Sequence, residues 1–124
     1  MKRDWNIIRS ILLRLEEDSR ANAVVNANSF GPTYSEQDVA YNMRLLKDMG
    51  LITADIQESR SGDGAIRVAL ARSMTHTGHD LLDGIRNDTI WQRVQDTFKK
   101  KGLDMSVELV IEVAKVTAKA ILAG

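Results

Sequence analysis

The chain has 124 residues, 44% of them hydrophobic, enough for one compact core and not comfortably for two. Lys plus Arg and Asp plus Glu each number 17, so the formal net charge is zero and no global basic field draws the protein onto nucleic acid. Absence of cysteine excludes a disulfide framework and thiolate metal ligation, and no apolar run approaches the ~18 residues of a membrane span. With Met1-Lys2-Arg3-Asp4 leading into an amphipathic helix instead of an apolar leader, a cytoplasmic protein is expected.

The first predicted helix starts at Asp4, an N-cap residue type, and runs to about Asp18. Its apolar stripe is Trp5, Ile8, Ile11, Leu12 and Leu15, with Arg9, Arg14, Glu16 and Glu17 on the polar side. Ser19 to Pro32 contains three asparagines, a glycine and the only proline around Ala23, Val24, Val25 and Ala27, which reads as a short strand and a turn.

Ser35 and Asp38 have the spacing of a capping box and open a second helix. Val39, Met43 and Leu46 form its inner side, flanked by Ala40 and Met49, whereas Gln37, Tyr41, Arg44 and Asp48 point away. Gly50 supplies a left-handed stop, and Leu51-Ile52 begin a strand. Ile52, Ala54 and Ile56 alternate with polar residues, as do Ile66, Val68 and Leu70, so the two runs form a hairpin with one buried face. The connector Ser59-Arg60-Ser61-Gly62-Asp63-Gly64 is its polar tip.

Thr75 is expected to cap a helix reaching Ile85, and Asp88 to cap another over Thr89 to Lys101 that ends at Gly102. Ile90, Trp91, Val94 and Phe98 form the inner stripe of the latter. The last predicted helix runs from about Ser106 almost to Gly124. Val107, Val110, Ile111, Ala114, Ala118 and Ile121 make one stripe, and Leu109, Val113, Val116 and Leu122 widen it. Such a helix requires wide burial, either inside the domain or against a second copy, which makes a homodimer a possible state.

The expected fold class is therefore α+β: a single winged-helix-like domain with a core over residues 1–74 and a helical C-terminal extension over residues 75–124. In a reading helix, three or four side chains meet base edges and cations hold phosphates. Gln37, Tyr41 and Arg44 are the candidates for the first role, with Arg60 and Arg67 for the second. Glu36, Asp38 and Asp48 oppose it, because carboxylates at a helix N-terminus repel phosphate. The partner is double-stranded DNA or, alternatively, a protein docking on the same helix or on the apolar C-terminal helix.

Other chemistry is weakly marked. His76 and His79, with Asp80 and Asp83, lack a third ligand at a diagnostic spacing, so no metal or cofactor is assigned. Gly62 and Gly64 are turn residues, not a phosphate loop, because strands flank them. The run Lys99-Lys100-Lys101 suits the negative end of a helix dipole. No nucleophile elbow or paired metal motif assigns a catalytic residue, so no enzyme is expected.

Four segments in combination, Met1 to Asp4, Tyr34-Ser35-Glu36 with Leu45 to Ile52, Thr75 to His79, and Ile85 to Trp91, resemble an uncharacterised family of short bacterial, phage and prophage proteins. Where that family carries Leu-Thr-Trp-Glu-Gly-His, this chain has Met74-Thr75-His76-Thr77-Gly78-His79. The resemblance covers nearly the whole chain and implies winged-helix likeness, a phage-linked accessory role and no recorded catalytic residues.

Overall fold

The computed structural model describes residues 2–18 and 23–123, so part of the predicted strand region, residues 19–22, lies outside the described residues. Its elements are α1 (Trp5–Glu17), β1 (Val25–Asn26), a 3-10 turn η1 (Ala27–Phe30), α2 (Glu36–Asp48), β2 (Ile52–Glu58), β3 (Ile66–Met74), α3 (His76–Ile85), α4 (Asp88–Lys101) and α5 (Val107–Ala123). The three strands form one antiparallel sheet in the order β1-β3-β2, and the class is α+β. Two compact units divide the chain, Met1–His79 and Asp80–Gly124.

In the first unit, α1 starts where Asp4 accepts hydrogen bonds from the Asn6 and Ile7 amides, at 2.9 and 3.2 Å. Ile7, Ile8, Ile11 and Leu12 are buried, meeting Val39, Met43 and Leu46 of α2 in one core with the inner face of the sheet. Leu15, placed on the inner stripe by periodicity, is half-buried near the helix end.

The α2 boundaries follow from their caps. Ser35 Oγ accepts from the Asp38 amide at 3.1 Å, and Gly50, at φ +74°, sends the chain out of the helix. The Gly50 and Leu51 amides donate to the Lys47 and Leu46 carbonyls at 3.0 and 2.9 Å, a paired C-terminal closure with Leu46 and Leu51 both fully buried. Thr75 then ties the far end of the hairpin to this stop: its amide donates to the Leu51 carbonyl at 3.0 Å, and its hydroxyl to the Gly50 carbonyl at 2.6 Å. The same hydroxyl receives the Gly78 amide at 3.2 Å, which makes Thr75 the cap of α3.

The expected inner residues of β3 need correction. Ile66 is buried, but Val68 and Leu70 are only half-buried, and Ala69 and Ala71 take the core positions. The reason is a pair of register shifts. Gln57 pairs with Val68 and Glu58 with Ile66, while Thr53 pairs with Ser73 and Ala54 with Ala71, so Arg67 and Arg72 are extra residues on β3. Each bulge exchanges the faces of the strand, because side chains alternate with period two. On the outer face, Thr53 and Ser73 share a 2.7 Å hydrogen bond, and Arg72 Nε donates to Asp55 at 2.6 Å.

In the second unit, α4 begins one residue earlier than expected. Asn87, not Asp88, is the cap, its Oδ1 accepting from the Ile90 amide at 3.0 Å. Gly102 at φ +63° ends the helix beyond the three exposed lysines. Leu81, Leu82, Ile85, Trp91, Val94, Phe98, Val110 and Ala114 are buried. Enclosure of α5 within the chain is not what the structure shows: Leu109, Val116 and Leu122 are 47%, 66% and 86% exposed. Burial of one side is satisfied by Val110 and Ala114, packed towards α4 and α3, and of the four widening residues only Val113 is half-buried.

Candidate functional site

The outward face of α2 closes on the hairpin. Gln37, Tyr41 and Arg44 lie at i, i+4 and i+7, on one side of the helix. The Gln37 amide donates from Nε2 to the Ile66 carbonyl at 2.9 Å and accepts from the Ile66 amide at 3.1 Å. Arg44 Nη1 meets Glu58 Oε1 at 2.8 Å, and its guanidinium stands 5.4 Å from the Tyr41 ring centroid. Glu58 and Ile66 are cross-strand partners, so Gln37 and Arg44 grip the last rung before the tip.

Three of the five candidate nucleic-acid contacts are thus brought together, and the polar groups of Gln37 and Arg44 are used inside the protein. The helical wheel places these residues away from the core but does not say what they meet. Arg60, in the tip, and Arg67, in the bulge, are exposed, and neither enters an ion pair among the described residues. Around them, Glu36, Asp38 and Asp48 are exposed on α2, so the surface is mixed in sign.

The tip is ordered by local bonds. Ser59 donates to the Ala65 carbonyl at 2.8 Å, Ser59 and Ser61 hydroxyls lie 2.8 Å apart, and Asp63 Oδ1 accepts from the Ala65 amide at 2.9 Å. That amide, followed by the Ser61 hydroxyl, holds the Asp63 carboxyl below the usual aspartate range. A depressed folded pKa stabilises the tip above the unfolded value and loses that contribution as pH falls through the folded one. In an NMR pH titration, the Asp63 midpoint should fall below the usual aspartate value, with the Ala65 amide shift following it; a midpoint at or above that value would refute the bond.

Two features were not legible as site residues. A concavity of about 400 Å³ between α1 and the η1–α2 connector is lined by Ser10, Arg14, Glu17, Phe30, Thr33 and Tyr34. Arg14 lies 4.3 Å from the Phe30 ring centroid and donates to the Ser29 hydroxyl at 3.2 Å, which uses its charge as a wall of the cleft. The second is Asn42, the one buried polar side chain among the described residues. Its Oδ1 accepts from the Asp4 amide at 2.8 Å, and its Nδ2 donates to the Asp38 carbonyl at 2.8 Å and the Lys2 carbonyl at 3.4 Å. Only its hydrogen-bond partners distinguish it from the other asparagines.

In the second unit, a groove of about 390 Å³ runs between α4 and α5, with Arg93, Thr97 and Lys100 on one wall and Val116, Thr117 and Ala120 on the other. The Thr97 and Thr117 hydroxyls turn back to the carbonyls of Arg93 and Val113, at 2.8 and 2.7 Å. No group of three or more His, Asp or Glu side chains suited to a metal ion occurs among the described residues. No helix among them is long and apolar enough to cross a membrane.

These features define a small α+β protein in which the second helix is locked to a β-hairpin and the last helix carries an uncovered apolar side. The chain belongs to the family described as hypothetical protein (DUF2513), whose profile matches residues 2–104. It is also 40% identical over 123 residues to an uncharacterized protein of Haemophilus influenzae, an alignment covering 99% of this chain and 100% of the relative. No solved structure matches the chain.

Proposed function

We propose that this chain is a non-catalytic, winged-helix-like binding protein that acts through a protein partner, with α5 as the docking element. On this reading η1 and α2 are a reduced helix-turn-helix, and β2–β3 the wing. The observation that carries it is the exposed apolar side of α5, where Leu109 and Val116 stand in solvent, a feature characteristic of interaction surfaces. The bonds of Gln37 and Arg44 weigh against base readout, since each would have to leave a partner to reach DNA. A cytoplasmic location and a phage or prophage setting are part of the same proposal.

One observation favours the DNA reading: Arg60 and Arg67 are exposed at the wing and suit phosphate contacts. Fluorescence anisotropy of a mixed-sequence duplex, titrated at about 20 and about 150 mM salt, separates the two, because phosphate-led binding weakens steeply over that range. We expect no saturable binding at either salt. Binding that weakens with salt and is lost in Arg60→Ala/Arg67→Ala would overturn the protein reading and establish a wing-led DNA-binding protein.

A further inference from the structure

The exposed side of α5 has a periodicity of its own. Leu109, Val113, Val116 and Ala120 are spaced by four, three and four residues, the step of a two-helix seam. Leu109, Val116 and Ala120 are exposed and Val113 is half-buried, so the seam is open along its length. The side of the helix already packed, through Val110 and Ala114, is turned from the seam by roughly a third of the circumference at ~100° per residue.

Charge along the helix is polarised. Glu108 and Glu112 occupy its first half, and Lys115 and Lys119 its second, all four exposed. A two-fold axis across the seam reverses the direction of a second copy, bringing acidic half against basic half. In that arrangement Leu109 meets Ala120 of the second copy and Val113 meets its Val116, while Glu112 flanks the seam beside its Lys119. This pair occurs twice by symmetry. A parallel arrangement brings the acidic halves together and the basic halves together.

We propose that α5 is a self-association surface on which a second copy of this chain packs its own α5 antiparallel, held by the Leu109–Val113–Val116–Ala120 seam and the Glu112–Lys119 pairs. This rests on the protein-interaction reading of α5 and names the partner. One 17-residue helix spans about 25 Å at ~1.5 Å per residue, so the contact is small and dissociation in the micromolar range is expected.

Sedimentation velocity of the full chain from about 5 to about 500 µM brackets that range. The expected result is a concentration-dependent dimer. Val116→Glu, at an exposed position, should weaken it at least ~10-fold, since it buries an unpaired carboxylate in the seam. Glu112→Lys and Lys119→Glu should each weaken it roughly threefold to tenfold through two symmetry-related like-charge contacts, and the double swap should return it to within about twofold of the parent. Circular dichroism of each variant confirms that the fold is kept.

A monomer throughout the concentration range would overturn the proposal, as would a dimer indifferent to all four variants. Dimerisation weakened by Glu112→Lys but not restored by the double swap would overturn the antiparallel arrangement. A monomeric chain that also ignores DNA leaves the protein-interaction reading standing with another partner, whereas salt-dependent DNA binding removes that reading whatever the oligomeric state.

Discussion

Replacing Gly78 by alanine should produce the largest loss of stability of any single methyl added to this chain. Gly78 is buried in the first turn of α3, and a Cβ there would lie inside the contact distance of the Leu51 carbonyl oxygen, 3.1 Å from its carbon and 3.4 Å from the Met74 Cβ. The obstacle is backbone, and that backbone is fixed: the Leu51 carbonyl accepts the Thr75 amide, and the Leu51 amide closes α2. Alanine's better helix propensity, worth ~1 kcal/mol, does not offset moving two locked segments, so we expect Gly78→Ala to cost about 3 kcal/mol. For a chain of this length that is a fall in Tm of roughly 10–15 °C. Gly84→Ala is the control. Its Cβ would meet only the Ala114 Cβ at 3.2 Å, a methyl contact that gives by a few tenths of an ångström. A thermal melt in which the two variants behaved alike would show that the Gly78 contact is not a close one in solution.

Asn42→Leu should cost about 2 kcal/mol although it keeps the branched four-atom shape of the side chain and adds apolar surface. The loss comes from the Asp4 amide, which donates at 2.8 Å to Asn42 Oδ1 and would face a methyl group instead. Asp4 is also the cap of α1, so removing Asn42 loosens the residue that receives the Asn6 and Ile7 amides. A denaturant titration gives the size of the effect, and amide hydrogen exchange gives its place. Protection should fall at Asp4, Asn6 and Ile7 before it falls in the rest of the first unit. Uniform loss would mean that Asn42 acts only through packing.

Local chemistry carried most of the element order into the sequence. Asp4, Ser35, Thr75 and the glycines at 50 and 102 are start and stop signals that act within one turn, and each sits where its chemistry requires in the structure. Asn87 and Asp88 show the limit of such signals, since two adjacent residues are both good caps and only the amide geometry chooses between them. The phase of β3 was hidden for a different reason. Ile66, Val68 and Leu70 are the bulkier apolar residues, Ala69 and Ala71 the smaller ones, and periodicity favours the bulk; the bulges at Arg67 and Arg72 place the small residues inside, against the helices.

The site was legible as a face and illegible as a set of contacts. A helical wheel puts Gln37, Tyr41 and Arg44 on one side, but their common destination at the Glu58–Ile66 rung depends on how the hairpin folds over α2, with partners 14 and 29 residues away along the chain. For α5 the sequence supplied the excess of apolar residues, and the structure supplied which of them remain in solvent.

The knot at Thr75 bears on where this chain can change length. Because Thr75 is bonded to Gly50 and Leu51, everything from Ile52 to Met74 is a closed excursion that leaves and returns to one fixed point. An insertion within either strand turns over the side chains beyond it, exposing what was packed. An insertion in the tip, residues 59–65, changes only the span of a loop whose ends are already held, and doubling such a span costs only ~0.6 kcal/mol. The reach of the hairpin can therefore be lengthened without renegotiating the core, so mutational drift in length is channelled to the one part of the first unit that extends furthest from it in sequence.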